Sequence, residues 1–207
     1  MPDHFVGGGV DDGNGRTERV GGNHIFAIRA DQGLVLLVAE GAQRFAAEHG
    51  IDIVPPSYFY SKTREWSHSH GLGTVGAVAL DRYGNLAAGT STGGTPNTHP
   101  GRVGDSAIIG TGTFADNAIC AISATGHGEF FIRQVVGQEI SVQMKYLGQS
   151  LAKAAKGVIH GTLEPQGGKG GVIGLDRSGN ITMVFNTPGM YRGYIRESEP
   201  PKVYLYR

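Results

Sequence analysis

The chain has 207 residues, enough for one domain with an apolar core of its own. Lys plus Arg and Asp plus Glu number 18 each, so the formal charge is zero, and nothing in that balance points to a nucleic acid or a membrane surface held by bulk electrostatics. The 35 glycines are the outlier: they exceed the usual share of about 7% but follow no period, which excludes collagen and calls for many sharp turns and close backbone approaches.

The single cysteine, Cys120, excludes an internal disulfide and fits a reducing compartment. It stands in the apolar run 118–124 and reads as a buried structural thiol. No charged-then-apolar leader opens the sequence and no apolar run is long enough to span a bilayer. A cytoplasmic location is the expectation.

Residues 1–20 lack periodicity, are rich in Gly and Asp, and read as loop. The apolar stretch 23–38 is interrupted by Gly33 and reads as a helix followed by a short extended piece. Residues 40–49 form a clearer helix: Ala42, Phe45 and Ala46 share one face, Glu40, Arg44 and Glu48 another, and Gly50 is the stop. Pro55-Pro56 ends regular structure, and 57–73 is a polar, aromatic connector. His68 and His70 lie two apart in that connector, without the further ligands at defined spacing that a metal would need.

Residues 74–92 read as a β-hairpin. Val75 to Leu80 is an apolar run suited to a buried strand, and Asp81-Arg82-Tyr83-Gly84-Asn85 is turn chemistry with Gly84 free to take positive φ. If Asp81 faces Asn85, Thr92 falls opposite Thr74, with Cβ atoms roughly 5 Å apart. Two hydroxyls at the start of such a strand have little packing purpose and make sense if one of them reacts. Cutting the Gly73–Thr74 bond would leave Thr74 with a free α-amine whose pKa is about 8. That amine can take the proton from its own Oγ and so make a nucleophile. Taken alone, Gly-Thr is a common pair, and most such pairs are ordinary strand starts.

The segment 93–117 looks too polar and glycine-rich for a regular element. It carries Arg102 and Asp105, which together suit a zwitterion: the guanidinium fork for a carboxylate, the carboxylate for an ammonium. A simple loop ion pair is the plainer reading of the same two residues. Residues 118–124 form the next buried strand, ending in Thr125-Gly126-His127-Gly128, where backbone N–H groups and the Thr125 hydroxyl suit an anion, or a plain glycine turn. Residues 133–147 and 150–158 read as two helices lying on a sheet, with Ser150 as N-cap of the second. The hairpin then returns in 171–181, LDRYGNL becoming LDRSGNI, so two hairpins should share one turn within an antiparallel, strand-rich core. Residues 185–194 close the chain with glycine turns.

The runs TVGAVALDRYGNLAAGTSTGG, PGRVGDSAIIGTGTFADN, ATGHGE, GGVIGLDRSGN and NTPGMYRG, in this order, closely resemble the plant-type asparaginases, also called isoaspartyl peptidases, which are N-terminal-nucleophile hydrolases. The likeness runs from about Glu40 to about Gly193. It implies an α+β fold, a four-layer αββα sandwich that is possibly incomplete on its N-terminal side. It also implies a precursor that cuts itself at Gly73–Thr74 into an α-chain-like segment (1–73) and a β-chain-like catalytic segment (74–207), together one domain. By the same resemblance Thr74 is the nucleophile, Thr92 its assistant, and Thr125 and Gly126 the oxyanion donors. Arg102 grips the substrate α-carboxylate, Asp105 the α-amine, and Gly128 lines the pocket. The implied substrates are L-asparagine and β-aspartyl dipeptides, and the implied assembly a homodimer of αβ units. No organic cofactor is implied. A structural sodium ion is typical of the family, but residues 1–38 match it poorly and its loop has no counterpart here. The competing expectation is a remnant of the family that folds without cutting itself and has only a binding or structural role.

Overall fold

A computed structural model describes residues 25–27, 36–55, 73–94, 101–197 and 199–206. The expected loop at 1–20 and the connector with His68 and His70 lie outside the described residues. The chain divides into two compact units, Met1–Gly73 with Gly93–Val103, and Thr74–Thr92 with Gly104–Arg207.

In the first unit, β1 (Ile25–Ala27) pairs antiparallel with β2 (Leu36–Val38), and helix α1 (Ala39–Glu48) follows directly. The extended piece at the end of 23–38 is present. The helix expected before it is not: Ile25-Phe26-Ala27 is a strand, as β-branched and aromatic residues favour once a partner lies alongside. Helix α1 has the expected faces, with Ala42 and Ala46 buried and Glu40, Arg44 and Glu48 exposed. It ends at Gly50, whose φ of +69° suits glycine.

The second unit is built in three layers. Hairpin β3 (Thr74–Leu80) and β4 (Leu86–Thr92) lies on one face of a four-stranded antiparallel sheet, and helices cover the other face. The sheet order is β5 (Thr113–Ala115), β6 (Cys120–Gly126), β7 (Gly170–Asp176), β8 (Ile181–Phe185). Strand β6 is buried on both faces because both are covered. Its Cys120, Ile122 and Ala124 enter the helix-side core with Phe131, Ile140, Leu151 and Val172, while Ala121 packs under Leu86 and Ala88 of the hairpin. The resulting fold is α+β.

The reading of β3 as a buried strand holds for one face only. Thr74, Gly76, Val78 and Leu80 are half-buried, while Val75, Ala77 and Ala79 are exposed. Within 93–117 the structure contains what composition hid, a 3₁₀ turn at Asp105–Ala107 and strand β5, which needs only three residues to edge the sheet. The helix read over 133–147 is two helices, α2 (Gly128–Gln134) and α3 (Val136–Leu147), broken at Val135 with φ +46°. The break frees the first amides of α3 to reach loop carbonyls: Gly137 N–H donates to Thr111 at 3.1 Å and Gln138 N–H to Gly110 at 2.8 Å. Helix α4 (Leu151–Lys156) is capped by Ser150 and runs on, past the expected end, as a π-helical stretch Gly157–Leu163 and a 3₁₀ turn Glu164–Gln166. The wider turns keep Val158, Ile159 and Leu163 all buried in the helix-side core. Past the glycine turns lies a further strand pair, β9 (Gly189–Tyr194) with β10 (Lys202–Tyr206).

Candidate active site

The site starts from the hairpin register. Asp81 N–H donates to the Asn85 carbonyl at 3.0 Å and Gly84 N–H to the Asp81 carbonyl at 3.1 Å, with Gly84 at φ +86°. This turn sets every pair beyond it, from Leu80 with Leu86 to Thr74 with Thr92, as the sequence predicts. The two hydroxyls meet: Thr74 Oγ1 donates to Thr92 Oγ1 at 3.1 Å.

The hairpin's position over β6 follows from three contacts. Val78, Leu80, Leu86 and Ala88 gather around Ala121. One step along, Gly76 lies over Ser123, so close that a Cβ on Gly76 would stand 1.9 Å from Ser123 Oγ. Its pair-mate Thr90 bonds the same Oγ at 2.7 Å. The progression 78, 76 against 121, 123 carries Thr74 and Thr92 to the Thr125 end of β6.

At that end Thr125 is half-buried, Gly126 exposed and Gly128 buried in the first turn of α2. Thr125 and Gly126 pair with Gly171 and Gly170 of β7. Gly126 (φ +151°) and Gly170 (φ +154°) press together under the Phe131 ring, and a Cβ on either would come within 2.3 Å of the opposing backbone. His127 N–H donates to the Lys169 carbonyl at 2.8 Å, turning the chain into α2. Asn186 holds the β7 side: its Oδ1 accepts from Gly170 N–H and its Nδ2 donates to the Gly168 carbonyl, both at 2.8 Å.

Asp105 is 6% exposed, rare for a carboxylate. Its backbone carbonyl accepts from Ile108 N–H, Gly112 N–H and Thr111 Oγ1, which curls 105–112 into a tight loop. Gly112 lies so close that a Cβ there would stand 2.8 Å from Asp105 Oδ2. The Gly112 carbonyl accepts from Ala124 N–H at 2.8 Å, so the loop is fastened one residue before Thr125. Arg102 belongs to the other unit, where it is half-buried.

Thr74, Thr92, Thr125, Gly126, Gly128 and Asp105 are therefore gathered at one end of the second unit, with Arg102 outside it. Sequence reasoning passed over Thr90, Thr113, Ser123 and Asn186. The first three form a hydroxyl cluster one step behind Thr74 and Thr92, and the only sequence sign of it was Thr90 standing two residues before Thr92 on the same face.

Cys120 is buried, and burial, with the nearby charges of Asp116 and Asp176, pushes its thiol up to about 12. Among the described residues no three His, Cys, Asp or Glu side chains converge.

The model of a family described as Asparaginase matches residues 61–205. The isoaspartyl peptidase of Salmonella typhimurium is 42% identical over 193 residues, 84% of this chain and 62% of its own length. That of Escherichia coli K12 is 42% identical over 193 residues, 84% of this chain and 60% of its own. A putative isoaspartyl peptidase/L-asparaginase of Dictyostelium discoideum is 37% identical over 241 residues, 90% of this chain and 69% of its own. The chain thus spans less than two thirds of the two bacterial relatives. The family model covers well over half of the sequence and the Dictyostelium relative is matched over more than two thirds of its length, so the chain belongs to the asparaginase family of N-terminal-nucleophile hydrolases.

Proposed function

We propose that this chain is the catalytic part of an amidohydrolase that cleaves L-asparagine and β-aspartyl dipeptides, with Thr74 as nucleophile once the Gly73–Thr74 bond is cut. The observation that carries the reading is the Thr74–Thr92 hydroxyl contact of 3.1 Å at the Thr125 end of β6.

In the uncut chain Thr74 Oγ1 attacks the Gly73 carbonyl carbon. The C–N bond breaks, the nitrogen takes a proton, and water hydrolyses the resulting ester, leaving Gly73 with a carboxylate and Thr74 with a free amine. In the mature site the amine accepts the proton from Oγ1 as the oxygen attacks the side-chain acyl carbon of the substrate. Thr92 Oγ1 holds the attacking oxygen in its rotamer. Thr125 and the Gly126 backbone N–H face the oxyanion. The ammonium returns its proton to the departing ammonia or amino acid, and the same amine then activates water to clear the acyl ester. Arg102 takes the substrate α-carboxylate and Asp105 its α-ammonium, a pairing that selects small substrates with a free amino-acid head group.

Intact mass of the purified chain, with ammonia release from asparagine, tests the reading. Two fragments divided at Gly73–Thr74 and released ammonia are expected, and Thr74→Ala should lose both. A single uncut chain without turnover would leave the inactive remnant as the correct description. Arg102→Ala should raise KM for asparagine roughly 10- to 100-fold while leaving self-cleavage near the wild-type rate. Equal losses in both would remove Arg102 from the substrate site.

A further inference from the structure

We propose that Thr90 is a positioning residue for this site, its hydroxyl being the atom that ties together the segments carrying Thr92, Asp105 and Thr125. The inference rests on the Thr74 reading above.

The Thr90 hydroxyl has three partners. It donates to the Gly112 carbonyl at 3.1 Å, lies 2.7 Å from Ser123 Oγ, and accepts from Thr113 Oγ1. A hydroxyl has one proton and two lone pairs. If Thr90 gives its proton to Gly112, Ser123 and Thr113 must give theirs to Thr90, and all three contacts are satisfied at once. Each partner leads to a different part of the site. Gly112 closes the Asp105 loop through its N–H and is fastened to Ala124 through its carbonyl. Ser123 stands two residues before Thr125 on the same face of β6. Thr90 itself stands two residues before Thr92 on β4 and opposite Gly76, which is two residues after Thr74.

Packing leaves no substitute for these bonds. Gly76 has no side chain to fill the gap between hairpin and sheet, and Ser123 occupies the place a Cβ would take. At this level the hairpin and β6 are held by hydroxyls, whereas one step further along they are held by Leu86, Ala88 and Ala121. Buried hydrogen bonds have strict geometry where an apolar contact slides, so the reactive end of the interface is the end fixed in register.

Removing the hydroxyl while keeping the shape isolates this role. Thr113 can turn its proton to the Ser106 carbonyl, 3.2 Å away, but Ser123 loses its acceptor. In Thr90→Val, kcat for asparagine should fall on the order of 10- to 100-fold, the usual consequence of a displaced nucleophile. KM should change much less than kcat, because the Gly112 carbonyl still fastens the Asp105 loop to Ala124 N–H when the Thr90 hydroxyl is gone. Self-cleavage should slow in parallel. Thr90→Ser, which restores the oxygen, should recover kcat to within roughly threefold of wild type. An active wild-type enzyme whose Thr90→Val variant keeps full kcat, loses only KM, or is not rescued by serine overturns this inference alone. An uncut, inactive wild-type chain overturns the Thr74 reading and this inference with it.

Discussion

Two aspartates, Asp81 and Asp176, each organise a whole turn. Asp81 Oδ1 accepts from Tyr83 and Asn85 N–H and its Oδ2 from Asn85 Nδ2, all at 2.8 Å. Asp176 repeats the pattern with Ser178 and Asn180 at 2.9 to 3.0 Å. These bonds, the Asn85 side chain foremost, hold the Asp81 carboxyl below the usual carboxylate range. A depressed folded pKa means that the stabilisation is complete above the unfolded value of about 4 and is lost as pH falls through the lower folded value. Asp81→Ala should therefore melt below wild type at neutral pH, and the two curves should converge in strong acid. A gap that persists there would mean that the side chain stabilises the turn without its charge. Cys120 gives the opposite behaviour. A buried thiol pushed up to about 12 carries almost no thiolate, so iodoacetamide should leave the native chain unmodified and label it only after unfolding. Mass spectrometry before and after denaturant decides this, and labelling of the native chain would refute the burial.

Turns of this kind are why so much of the element scale was legible. LDRYGN and LDRSGN encode their conformation within six residues, so register, the Thr74–Thr92 pairing and the second hairpin could all be read from the chain. What was missed depends on residues far apart in sequence. The break at Val135 is set by carbonyls of Gly110 and Thr111, and no local signal at a valine announces positive φ. The Thr90, Thr113 and Ser123 hydroxyls look like ordinary strand residues until three strands bring them together. Both features predict mutational behaviour. Val135→Gly should stabilise the chain by about 0.5–1 kcal/mol, relief of left-handed strain exceeding the extra chain entropy of glycine. A loss of that size in chemical denaturation would show the strain to be absent. Gly76→Ala should cost about 2–3 kcal/mol by driving a methyl into Ser123. Ser123→Gly, combined with it, should return at least ~1 kcal/mol as a coupling term. Strictly additive losses would mean that the hairpin does not rest on β6 where the contacts place it.

Over the whole second unit, the same contacts imply a gradient of stability. Strands β6 and β7 lie centrally, paired on both edges and covered on both faces, with Cys120, Ile122, Ala124 and Val172 almost wholly excluded from water. Strand β10 has one partner among the described strands, and all five of its residues are exposed, Val203 at 78% and Tyr206 at 70%. Amide exchange follows the free energy needed to open each hydrogen bond, and that energy scales with the apolar surface and pairing lost on opening. Among the described strands, deuterium uptake measured on peptides covering 120–126 and 170–176 should be slowest, and uptake over 189–206 should be complete first. Hairpin 74–92 should fall between them, since only one of its faces is buried. Its Thr74 end, held by hydroxyl bonds to Ser123 and Gly112 through Thr90, should exchange no faster than its Leu80 end, which is held by apolar contact. A hairpin that frays first at Thr74 would mean that those bonds do not fix the reactive end, and the site would then have to be assembled by its substrate.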